Sequence, residues 1–113
     1  MWEYQTPRDL VKAAADWPQL NFIIYHGCFR AFFDAPGDAL GDFESTGRIE
    51  WCSDLAEVPA QNGASNIYAE MGTTFASTSI INPRLTAAIL GTWIKGLGVS
   101  NVCLLYTSPS PRD

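Results

Sequence analysis

Residues 16–27 read DWPQLNFIIYHG, and this stretch decides the fold. Pro18 marks the end of a helix, since proline does not continue one. The run Phe22–Tyr25 then has the length and the apolar character of a strand, with no polar alternation. Such strands are typical of parallel sheets that are covered on both faces. We therefore expect a strand from Asn21 to about His26 that is buried on both sides.

The residues before this strand carry the signals of a helix start. Thr6 suits the N-cap position, Pro7 suits the first helical position, and Asp9 lies in the first turn. The apolar residues that follow recur at helical spacing, namely Leu10, Val11, Ala14 and Trp17. This pattern predicts a helix that ends at Pro18.

The rest of the chain continues the alternation of helices and strands. We predict, in order, a loop or short-helix segment from Gly27 to Gly47, a helix from Ile49 to Gln61, a strand from Asn66 to Met71, a loop from Gly72 to Ile81, a helix from Asn82-Pro83 to Gly96 and Gly98, and a strand beginning at Asn101. This order predicts an α/β fold with parallel strands. Periodicity alone does not choose between an open doubly wound sheet and part of a closed barrel.

Composition excludes several classes of protein. The chain has 113 residues, of which 47% are hydrophobic and 17% are charged, so it is typical of a globular fold. A net charge of -5 with scattered Lys and Arg argues against nucleic-acid binding, and no apolar run reaches the length of a membrane span. Cys28, Cys52 and Cys103 are odd in number and lack Cys-x-x-Cys spacing, which favours free thiols over disulfides or a zinc–thiolate site.

Three polar side chains follow or end the predicted strands. His26 is the only histidine and stands at the carboxyl end of the first strand, where α/β proteins bind ligands. It could bind a metal, move a proton or be a hydrogen-bonded core residue. Glu70, at the end of the second strand, could bind a metal or substrate, orient a base, or cap backbone amides. Arg30 could hold a substrate carboxylate or form a surface ion pair.

Aromatic residues and glycines give weaker signals. An aromatic set could line an apolar pocket, although we expect it to serve mostly in packing; it comprises Phe29, Phe32, Phe33, Phe43 and Trp51. Gly96-Leu97-Gly98 precedes a strand, which is the wrong order for a dinucleotide-binding loop. The chain also lacks a Gly-x-Ser-x-Gly nucleophile motif.

Residues 16–27 resemble the helix-to-strand signature of amidohydrolase-related, metal-dependent enzymes. That signature is a proline, a leucine, an apolar strand, and then a histidine followed by a small residue. Asn66–Gly72 resembles the next strand of that family, and Leu97–Val102 resembles the approach to its last strand. The resemblance covers roughly residues 6–102.

This resemblance implies a (β/α)8 barrel with a divalent metal, most often zinc, at the carboxyl face. Members hydrolyse C–N or C–O bonds, and one branch contains non-oxidative decarboxylases of the aminocarboxymuconate-semialdehyde and γ-resorcylate types. His26 matches the family's sixth-strand histidine, which polarises substrate, moves a proton or, in some branches, binds a second metal. The implied function is a metal-dependent hydrolase acting on a small molecule, with decarboxylation as the alternative.

Residues 103–113 read CLLYTSPSPRD, which resembles one reading frame of a transposon-end sequencing adapter; the alternative is a native Pro/Ser-rich tail. We therefore interpret residues 1–102 as part of a barrel domain and residues 103–113 as adapter-derived. The family's first-strand and fifth-strand metal ligands would precede Met1, and its eighth-strand aspartate would follow Val102. We expect this chain to be inactive without them and to bind no metal tightly.

For the parent enzyme we expect a homo-oligomer and a cytoplasmic location, with an upstream export signal left open. The competing interpretation is a complete small α/β module that binds a ligand or partner without catalysis. Part of a barrel has an open sheet edge and helices without neighbours. The interpretation of this chain as part of a barrel therefore predicts marginal stability, exposed apolar surface and aggregation.

Overall fold

A computed structural model describes residues 6–29 and 36–104 of the chain. They form a mixed α/β fold in which six α-helices and three strands alternate along most of the sequence. In chain order the elements are α1 (Leu10–Asp16), β1 (Phe22–Tyr25), α2 (Pro36–Thr46), α3 (Cys52–Ala56), α4 (Val58–Asn62), β2 (Ile67–Glu70), α5 (Gly72–Ile81), α6 (Pro83–Leu97) and β3 (Val102–Cys103). Short 3₁₀ turns lie at Pro7–Asp9 and Val99–Asn101, and a left-handed turn lies at His26–Cys28.

The three strands form one parallel sheet in the order β1-β2-β3. β1 and β2 pair from Phe22 opposite Ile67 to Tyr25 opposite Glu70, and Glu70 is also paired with Cys103 of β3. The prediction of an α/β fold with parallel strands is therefore confirmed. Closure of such strands into a barrel stays a prediction.

The two faces of the sheet differ in exposure. Side chains on one face join the helix-lined core; on β2 these are Ile67 and Ala69, at most 1% exposed. On the other face, Ile23 is 44% exposed and Tyr25 is 63% exposed. The prediction that β1 is buried on both faces is therefore wrong for the described residues. The prediction fails because the core lies on one side of the sheet only, and the side chains of a strand point alternately to the two sides.

The core is built around α6. Leu85, Ile89 and Trp93 recur at helical spacing along this helix and are at most 1% exposed. Asn82 caps the helix by accepting a hydrogen bond from the Leu85 N–H, as the Asn-Pro signal predicts. Gly96 allows close packing on α3, since a Cβ there would lie 2.1 Å from the Ala56 carbonyl oxygen. This packing places α6 across the covered face of the sheet.

The predicted helix from Ile49 to Gln61 is instead two short helices, α3 and α4, that meet at Glu57. Pro59 lies in the first turn of α4, a position where a missing N–H costs no helical hydrogen bond. The predicted helix end at Gln61 is close to the observed one, since α4 ends at Asn62 and Gly63 follows with φ at +70°. Proline therefore begins a helix here.

The predicted Thr/Ser-rich loop over residues 72–81 is wrong, because these residues form helix α5. Hydroxyl side chains commonly compete with helical hydrogen bonding, which is why the composition indicated a loop. Here the hydroxyls bond to carbonyls four residues earlier: Ser77 to Thr73 and Thr78 to Thr74, both at 2.7 Å. Thr78 also accepts a hydrogen bond from the Thr86 hydroxyl of α6 at 2.7 Å, so tertiary packing overrides the local preference.

Candidate functional site

The candidate site is the edge of the sheet at which all three strands have their carboxyl ends. Tyr25, Glu70 and Cys103 form the last row of paired residues, and His26 follows Tyr25 directly. Parallel strands bring the ends of separate sequence segments together at such an edge, which is where α/β proteins bind ligands. The structure thus brings two of the predicted site residues, His26 and Glu70, to the same edge.

His26 begins a left-handed turn with an unusual backbone. The φ angles of His26, Gly27 and Cys28 are +59°, +55° and +64°. Each non-glycine residue in this region costs about 1–3 kcal/mol and persists only when the surroundings enforce it. The Phe29 N–H closes the turn by donating to the His26 carbonyl oxygen at 3.0 Å.

Two side chains from neighbouring helices hold this turn. The Thr74 hydroxyl of α5 donates to the His26 carbonyl oxygen at 2.9 Å. The Trp93 indole N–H of α6 donates to the Gly27 carbonyl oxygen at 3.2 Å. A Cβ on residue 27 would lie only 1.9 Å from Trp93 Cζ2, so glycine is required there for space as well as for φ. The backbone that carries the imidazole is therefore fixed from both helices.

Sequence reasoning missed Thr74 and Trp93 as site residues. Trp93 lies on the apolar stripe of α6, where its spacing indicates only core packing. Thr74 lies in the segment that the composition assigned to a loop. The available signal was Gly27 itself, because a glycine directly after a buried-type strand indicates close approach of another group.

Glu70 is a buried carboxylate with a structural contact at this edge. It is 6% exposed, and its Oε2 accepts a hydrogen bond from the Gly72 N–H at 2.8 Å. A Cβ on Gly72 would lie 2.6 Å from the same oxygen, so the turn fits closely around the carboxylate. The capping interpretation of Glu70 therefore has direct support. Binding of substrate by Glu70 stays a prediction.

Some of the other predicted residues lie outside the described part of the chain, and the rest are buried or half-buried within it. Arg30 lies outside the described residues, as do Phe32 and Phe33. Phe29 and Trp51 are buried, and Phe43 is half-buried against the core. Phe29 thus serves in packing, whereas Phe43 also lines the groove described below and Trp51 lines a smaller concavity.

The cysteines of the described residues are free thiols. Burial raises the pKa of Cys28 to about 12, with a smaller effect from Asp54, and burial also raises the pKa of Cys52. Burial and the nearby Glu70 carboxylate raise the pKa of Cys103. Since the thiolate is the nucleophile, these shifts argue against a cysteine nucleophile at this edge.

A groove lies on the helical side of the molecule and is separate from the carboxyl edge of the sheet. It has a volume of about 830 Å³ between α2, α3 and α6, and is lined mainly by apolar and small side chains such as Leu40, Phe43, Ala56, Ala88 and Gly91. Arg84 of α6 and Glu44 of α2 pair across it at 3.4 Å. The groove contains neither His26 nor Glu70, so the titratable strand-end residues do not line it.

Comparisons with known proteins do not assign the chain to a family. No protein-family model, curated protein or solved structure matches it. The likeness to amidohydrolase-related enzymes therefore rests on the sequence resemblance alone. Among the helices of the described residues, none has both the length and the apolar character needed to cross a membrane.

Proposed function

We propose that this chain is part of a metal-dependent, amidohydrolase-like (β/α)8 barrel enzyme that hydrolyses a small-molecule substrate. The observation that carries the proposal is the resemblance of residues 16–27, and the one-sided sheet agrees with it. In a barrel wall, helices pack on the outer face and side chains fill the interior. In a doubly wound sheet, helices cover both faces. A sheet with its core on one face and exposed Ile23 and Tyr25 on the other fits three strands of a barrel wall. Three strands in sequential order would have the same one-sided cover in half of a doubly wound sheet, so the sequence resemblance makes the choice.

The position of His26 supports the same proposal. It follows β1 at the carboxyl edge, which is the catalytic edge of barrels of this type. An imidazole there can give a proton to a leaving group or take one from a nucleophile near neutral pH. Glu70, in the neighbouring strand, would place a carboxylate beside the reacting groups.

The described residues do not by themselves form a metal site. They contain no group of three or more His, Cys, Asp or Glu side chains that could hold a metal ion. We therefore derive no step through a metal from these residues. In the proposal, the metal ligands lie on strands of the parent enzyme outside this chain.

The proposal is tested in the longer reading frame that contains this chain. We expect the DNA beyond the Val102 codon, amplified with primers free of adapter sequence, to encode an apolar strand followed by Gly-Thr-Asp or Gly-Ser-Asp. A genome that itself encodes residues 103–113 and then a stop codon would contradict the proposal. Purified parent enzyme with added zinc should hydrolyse members of a panel of amides and esters, and carbon dioxide release would identify the decarboxylase alternative instead.

The role of His26 has its own test in the parent enzyme. His26→Asn should lower kcat about 10²–10⁴-fold, the usual contribution of a general acid or base. Thr92→Val, which removes a hydroxyl that bonds to the Ala88 carbonyl of its own helix, is the control and should retain activity. Equal activity of His26→Asn and wild type would remove His26 from the chemistry.

A further inference from the structure

We infer that Thr74 and Trp93 are positioning residues for His26. They fix the left-handed turn that sets where the imidazole lies at the carboxyl edge. The catalytic use of that imidazole rests on the proposed function above. The positioning itself rests on contacts within the described residues.

The backbone conformation of the turn requires support from its surroundings. His26 and Cys28 both have positive φ angles, and neither is glycine. Residues of this kind adopt the left-handed region at a free-energy cost, so other interactions must maintain it. The described structure provides such interactions at the two carbonyl groups that the turn exposes.

The two hydrogen bonds come from different helices and reach adjacent peptide groups of the turn. Thr74 bonds to the His26 carbonyl at 2.9 Å, and Trp93 bonds to the Gly27 carbonyl at 3.2 Å. Thr74 is 2% exposed and Trp93 is fully buried, so both bonds are shielded from competing water. The turn is thereby held at two successive points.

Hydrogen bonds between α5 and α6 fix Thr74 and Trp93 relative to each other. The hydroxyl of Thr86 on α6 bonds to the hydroxyl of Thr78 on α5, and Thr78 bonds to the Thr74 carbonyl, both at 2.7 Å. Thr78 and Thr86 are buried, at 4% and 7% exposure. These hydrogen bonds connect the first turn of α5, through Thr78, to the first turn of α6. A buried polar chain of this kind fixes the geometry of the helices it joins.

The test uses NMR of the full 113-residue chain, in which His26 gives the only histidine ring signals. We expect wild type to show one narrow set of ring ¹H–¹³C peaks, displaced from those of a free histidine peptide. Thr74→Val removes the hydroxyl at nearly constant volume, and Trp93→Phe removes the indole N–H. Each should produce a second or broadened set of ring peaks. The fraction of molecules with the turn open should rise roughly fivefold for each ordinary hydrogen bond lost.

Matched controls separate positioning from general loss of stability. Thr92→Val removes a hydroxyl that, among the described residues, bonds to the Ala88 carbonyl on the same helix, and should leave the ring peaks unchanged. Asn66→Ala destabilises the opposite edge of the sheet, where its amide bonds to the Ala14, Trp17 and Leu20 carbonyls. It should also leave the ring peaks in place. Thr74→Ser, which restores the hydroxyl, should return the wild-type spectrum.

Ring peaks that stay at their wild-type positions in both Thr74→Val and Trp93→Phe would overturn the inference. So would an equal displacement in Asn66→Ala, because the effect would then follow stability alone. This readout needs no catalytic activity. If the ring responds as expected but His26→Asn leaves the parent enzyme fully active, the positioning stands and the catalytic role of His26 fails; a parent enzyme with no activity on the substrate panel refutes the proposed function and leaves the positioning untouched.

Discussion

Replacing Gly27 with alanine gives the sharpest test of the packing described here. The substitution places a Cβ 1.9 Å from Trp93 Cζ2 and 2.3 Å from Trp93 Cε2, in a core position where the ring is fully buried. It also imposes a side chain on a residue with φ at +55°. The left-handed conformation costs an L-residue about 1–2 kcal/mol. Overpacking a core typically costs about 1–3 kcal/mol more.

We therefore expect Gly27→Ala to lower the free energy of unfolding by about 2–5 kcal/mol, a large part of the stability of a small domain. The measurement is urea unfolding read by pulse proteolysis, which works at protein concentrations low enough to limit aggregation. With a denaturant slope of about 1.5 kcal/mol per M, the midpoint should fall by roughly 1–3 M.

Gly63→Ala is the matched control. Gly63 also has positive φ, at +70°, but a Cβ there meets no atom within 4 Å. It should cost only the conformational part, about 1–2 kcal/mol. A Gly27→Ala/Trp93→Leu double variant should be less destabilised than the two single changes predict together, because the leucine removes the clashing ring. Equal losses for Gly27→Ala and Gly63→Ala, with no coupling to Trp93, would refute the reasoning.

Three further predictions concern the sheet and the thiols. Ile23→Lys, on the exposed face of β1, should change the free energy of unfolding by less than about 0.5 kcal/mol and reduce aggregation in light scattering. Ile24→Lys, on the covered face, should cost about 2–5 kcal/mol in the same urea assay; similar costs for both would contradict the assignment of faces. Asn66→Ala should cost about 1–3 kcal/mol by urea unfolding, since one amide serves three carbonyls, and a cost near zero would contradict those bonds. In iodoacetamide labelling at pH 8, Cys28 should react far more slowly than Cys103, because a pKa raised from 9.0 to about 12 lowers its thiolate fraction roughly a thousandfold. The Cys28 rate should still rise with pH above 9, and comparable rates for the two thiols at pH 8 would contradict the burial.

The elements that the sequence predicted well are those with strong local signals. The strand at Phe22–Tyr25 and the helix that begins at Asn82-Pro83 appear where expected, since an apolar run and a helix cap act over a few residues. The parallel arrangement also followed from the alternation of elements.

The errors arise where tertiary contacts decide. Helix α5 depends on hydroxyl groups that bond within the helix and to Thr86, which composition does not reveal. The exposure of Ile23 depends on which segments pack against that face of the sheet. The apolar sequence of the strand does not show whether those segments belong to the described residues. At the candidate site, the strand ends indicated His26 and Glu70. The contacts of Thr74 and Trp93 join residues that are distant in sequence, so Gly27 could indicate that some group approaches the turn but not which residues supply it.

The alternation of β1 between a core face and an exposed face separates two kinds of selection along one strand. Phe22 and Ile24 pack against the core and are therefore needed for folding, whereas Ile23 and Tyr25 contribute little to the packing of this unit. A saturation mutagenesis scan scored by protease resistance of this chain should therefore tolerate polar residues at 23 and 25. The same scan can be made in the parent enzyme, scored by cell growth that depends on its activity. It should reject polar residues at 23 and 25 if the exposed face lines the interior of a barrel. Disagreement between the two scans at every second residue would map that interior without any further structure.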